Sequence, residues 1–94
     1  MCTYETVNLS VSGAGKGATG WFPLASATVY LDHPFDAAAL HTLNVDLRNP
    51  DRGPAARVAV ELDPGSAREL AETILRVLAS APPDVLEETP RRDR

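Results

Sequence analysis

From Thr3 to Val11 the odd positions carry Val7, Leu9 and Val11, and the even ones carry Tyr4, Thr6, Asn8 and Ser10. A period of two predicts a strand with one face buried. The alternation returns in Leu24–His33, where Ala25, Ala27, Val29 and Leu31 oppose Thr28, Tyr30 and Asp32. It is clearest in His41–Asn49, where His41, Leu43, Val45 and Leu47 alternate with Thr42, Asn44, Asp46 and Arg48. A fourth strand is predicted over Ala56–Asp63, with Ala56, Val58, Val60 and Leu62 inward.

Between these runs lie breakers. Ser12–Gly20 holds four glycines and reads as a loop. Pro23 has no N–H for a ladder, so pairing is expected to resume only after it. Pro34–Leu40 reads as a loop or single turn, and Pro50-Asp51-Arg52-Gly53-Pro54 as a turn.

After Asp63 the period changes. Asp63 suits an N-cap and Pro64 the first helical position. Ala67, Leu70, Ala71, Ile74, Leu75, Val77 and Leu78 then form an apolar stripe opposite Arg68, Glu69, Glu72 and Arg76. Pro82-Pro83 ends the helix. The pattern predicts an α+β fold: a four-stranded antiparallel meander, β-β-β-β-α, with one C-terminal helix packed on one sheet face. Residues 1–80 form the single domain, and 81–94 are read as a polar, disordered tail.

Size and charge narrow the classes. A chain of 94 residues buries only about 60–65% of its unfolded surface, so a homodimer is expected to supply further burial. The net charge is −4, and no basic cluster stands beside aromatics, which argues against nucleic acid. No apolar run reaches membrane-spanning length. One cysteine suits a reducing, cytoplasmic setting.

Strand parity predicts which residues meet. Val7 should lie beside Val29, Leu31 beside Leu43, and Leu43 beside Leu62. At one end of that face this gathers Thr3, His33 and His41, with Glu5 diagonal to His33. Two histidines and a carboxylate are a ligand set for a divalent transition metal, or a small acid/base centre. The plainer alternative has both histidines bonding the Pro34–Leu40 loop while Glu5 meets water. Cys2 starts at the same end on the other parity. No cofactor is otherwise expected.

Two further surfaces carry candidate contacts. Gly15-Lys16-Gly17-Ala18-Thr19-Gly20 matches G-x-G-x-x-G, but no βαβ unit surrounds it, so a dinucleotide site is not expected. Lys16, Trp21 and Phe22 are candidates for holding an anion or a partner, against a reading in which the aromatics plug the sheet's end. The polar sheet face, with Tyr4, Tyr30 and Asn44, suits solvent, a wet dimer interface or a small polar ligand.

Met1-Cys2-Thr3-Tyr4, Gly15-Lys16-Gly17 through Trp21-Phe22-Pro23-Leu24, Asp32-His33-Pro34, His41-Thr42-Leu43-Asn44 and Arg57–Leu62 together resemble a family of short actinobacterial proteins of unknown function. The resemblance covers roughly the first eighty residues. It implies a soluble bacterial protein and assigns no residue a role. The expected function is therefore a small non-catalytic binding or accessory module, acting through the polar face or the Gly-rich loop. The alternative is a metal protein or small metalloenzyme using Glu5, His33 and His41, and whether the chain is an enzyme stays open.

Overall fold

The computed structural model describes residues 4–33 and 40–88. Six strands and one long helix follow in order: β1 (Thr6–Ser10), β2 (Ala14–Gly17), β3 (Gly20–Pro23), β4 (Ser26–Asp32), β5 (Thr42–Arg48), β6 (Arg57–Leu62) and α1 (Pro64–Ala79). The main sheet is antiparallel in the order β1-β4-β5-β6, and β2-β3 form a separate two-stranded hairpin. The α+β class and the four-stranded sheet agree with the sequence pattern. The simple meander does not, because the hairpin is inserted between its first two strands.

The register follows hydrophobic parity. Val7, Val29, Val45 and Val60 form one row across the sheet, and Leu9, Ala27, Leu47 and Val58 the next. Leu31, Leu43 and Leu62 form a third. A slip of one residue would turn every one of these side chains to the polar face, which is why the pattern fixes the register.

Ser12–Gly20, expected as a loop, is instead largely β-hairpin, and pairing continues through Pro23 rather than after it. Alternation explains both. Gly15 pairs with Phe22 and Gly17 with Gly20, so these four share one side; Lys16 pairs with Trp21 on the other. The glycine side lies against β6. A Cβ on Gly17 would sit 2.8 Å from the Ala55 carbonyl oxygen, and one on Gly15 3.3 Å from Val58. The glycines thus permit close approach of backbone to backbone. Pro23 sits at the end of β3, where its missing N–H costs the ladder little. Its carbonyl accepts a 2.8 Å hydrogen bond from Asn49 Nδ2, which ties the hairpin's exit to the 3₁₀ turn at Pro50–Arg52.

The helix start is as the residues predict. Asp63 accepts from the Ser66 N–H at 2.8 Å, and Pro64 opens the helix. The helix meets β5 and β6, but none of its residues is buried. Packing on the sheet face is therefore partial: α1 stands off it and leaves a groove. Burial concentrates at the hairpin end, around Phe22, Ala27 and Ala56, and on the central strand at Thr42 and Asn44. Within the tail read as disordered, Pro83–Leu86 forms one helical turn, α2.

Candidate functional site

Two ends of the sheet collect the sequence-predicted residues. At the first, β4 ends and β5 begins with the pair Asp32↔Thr42. His33 and His41 flank that pair, and their rings stack with centroids 4.8 Å apart and planes tilted by 31°. His33 Nδ1 lies 3.2 Å from the Leu40 carbonyl oxygen. A carbonyl only accepts, so this contact requires the proton on Nδ1. Tyr4 joins from outside: its ring meets His41 edge-on at 5.7 Å, with the hydroxyl 3.4 Å from Nε2. Tyr4 precedes β1 and His41 precedes β5, so strand alternation does not govern this contact.

The histidines thus come together as parity predicts, and His33 bonds the loop backbone. Glu5 is exposed, and among the described residues no group of three His, Cys, Asp or Glu is placed to hold a metal ion. Cys2 and Thr3 lie outside the described residues, as do residues 34–39 and 89–94.

At the other end stands the hairpin. Trp21 is 70% exposed while Phe22 is 8% exposed, pressed against its glycine partners. Phe22 therefore leaves the accessible set and acts as the hydrophobic plug, fixing the strand that carries Trp21. Lys16 is exposed and is the cross-strand partner of Trp21. Arg52, which the sequence reading did not single out, shares a shallow pocket with Ala14, Trp21, Phe22 and Pro23. The signal for it was indirect: an Asn49-Pro50-Asp51 turn, in which the Asp51 N–H donates to Asn49 Oδ1 at 3.1 Å, carries Arg52 back toward β3.

The polar face is knit to itself. Thr28 Oγ1 donates to Asn8 Oδ1 at 2.7 Å, and Arg57 donates through Nε and Nη2 to Asp46 Oδ1 at 3.0 and 2.8 Å. Asn44 is buried and accepts from the Thr42 hydroxyl at 2.7 Å. Tyr30 is half-buried and pairs across to both Thr6 and Asn44.

Residues 1–87 match a family model described as a family of unknown function, a span that runs past the eighty or so residues of the motif resemblance. No curated protein and no solved structure matches the chain. No helix among the described residues is long and apolar enough to cross a membrane.

Proposed function

The chain belongs to that family, DUF6295, which brings no activity with it, and we propose that it is a small non-catalytic binding module that docks an acidic protein segment through its β2–β3 hairpin. The observation carrying this reading is the exposed indole of Trp21, which is the cross-strand partner of Lys16 and lines one pocket with Arg52. A large rigid aromatic loses little entropy on docking and is a frequent interface hot spot. Flanking cations favour carboxylates and steer their approach. The rest of the polar face, tied into its own hydrogen bonds, offers fewer free groups.

Trp21 is the chain's one tryptophan, so its fluorescence reports on this site alone. Titration with a Glu-rich peptide containing one aromatic residue should shift the emission to the blue with saturation. Lys16→Glu or Arg52→Glu should abolish the shift. Unchanged emission at low ionic strength would sink the reading.

The metal alternative keeps one observation in its favour, the adjacency of His33 and His41. It lacks a third protein ligand among the described residues.

A further inference from the structure

We infer that the groove between α1 and the apolar sheet face receives a second copy of this chain, whose α1 lies over β1 and β4. The groove, about 460 Å³, is lined by Val29, Leu31 and Leu43 on the sheet and by Ala67, Ala71 and Leu75 on the helix. The residues of both walls are half-buried or exposed, and so is the apolar face of β1 beyond the groove. Val7 and Leu9 on β1 are 42% and 46% accessible, and Leu75 is 67%.

Dimensions say what is missing. Four strands spaced about 4.8 Å apart make a face roughly 19 Å wide, and a helix with its side chains is about 10 Å across. Such a face takes two helices side by side. Among the described residues this chain has one long helix, and it meets β5 and β6. The short turn α2, with Val85 and Leu86 as its apolar residues, is too small to cover the other half.

Charge selects a copy of the chain over other occupants. The groove's rim carries Arg68 and Glu72, one helical turn apart. A twofold axis sets residue i of one copy against j of the other and j against i, so a rim with one charge of each sign is self-complementary. A lipid surface is disfavoured, because the helix's polar face balances Arg68 and Arg76 against Glu69 and Glu72 on a chain of net charge −4.

Sedimentation equilibrium of the untagged full chain tests this. The expected mass is twice 10.0 kDa. Leu75→Glu should give monomer. Arg68→Glu and Glu72→Arg are surface changes that leave the fold intact, and each should weaken the dimer on the order of tenfold, since two rim pairs are lost. The double variant R68E/E72R should restore it. Trp21→Ala should leave the mass alone, which separates this result from the hairpin reading. A folded wild-type chain that sediments at 10.0 kDa at every concentration would overturn the proposal. So would a dimer that none of the groove variants weakens.

Discussion

Trp21 and Phe22 are consecutive in β3 and point to opposite sides of the hairpin, the indole into solvent and the phenyl ring onto Gly15 and Gly17. One residue is presented and the other does the holding. Trp21→Ala should therefore change stability by less than about 0.5 kcal/mol. Phe22→Ala should cost about 3–5 kcal/mol, enough to unfold much of a small domain. Urea denaturation followed by circular dichroism distinguishes them, and equal effects would contradict the assigned roles.

The hairpin's glycines make a second pair of expectations. At Gly17 an added methyl meets backbone, the Ala55 carbonyl, which has little room to give. Gly17→Ala should destabilise by about 1–3 kcal/mol through overpacking. Gly65, in the first turn of α1, would place its Cβ 3.4 Å from Asp63 Oδ1, an ordinary contact. Gly65→Ala should stabilise by about 0.5–1 kcal/mol, because alanine loses less backbone freedom on folding. Thermal melts that moved in the same direction for both would count against this reading of the packing.

The main sheet was legible because its apolar residues alternate without interruption, and one parity error would have exposed every row. The pairs Val7↔Val29, Leu31↔Leu43 and Leu43↔Leu62 all stand as the alternation predicts. The hairpin was not legible in the same way. Glycine gives no hydrophobic signal, and its placement at Gly15 and Gly17 makes sense only once β6 lies against it. The helix was read correctly in its cap and stripe, but a stripe says that something is to be covered without saying what covers it. Parity likewise brought His33 to His41, while Tyr4, outside the strand, lay beyond its reach.

Asp63 links acid stability to the helix start. The Ser66 N–H, and then the Ser66 hydroxyl, hold its carboxyl below the ordinary aspartate range. A depressed folded pKa contributes stability that is fully present above the unfolded value, about pH 4, and is lost as the pH falls through the lower folded one. Asp63→Asn keeps an oxygen for the cap but cannot titrate. Its melting temperature should fall less than that of the wild type as the pH drops below about 4. Identical acid slopes would contradict the linkage.

With no third His, Cys, Asp or Glu placed beside His33 and His41 among the described residues, no stoichiometric metal site is expected. Calorimetric titration of the untagged, chelator-free chain with Zn²⁺ should show no one-to-one event that His41→Ala removes. A saturating site lost in that variant would reverse this conclusion and restore the metal reading.

The central claim is that one chain leaves half of its apolar sheet face for the helix of another. Isotope-filtered NMR on an equal mixture of ¹³C-labelled and unlabelled chains reads it directly. The account predicts intermolecular methyl contacts from Ile74, Leu75 or Val77 to Val7 or Leu9. Contacts from these helix methyls that are intramolecular alone, in a folded sample, would contradict it.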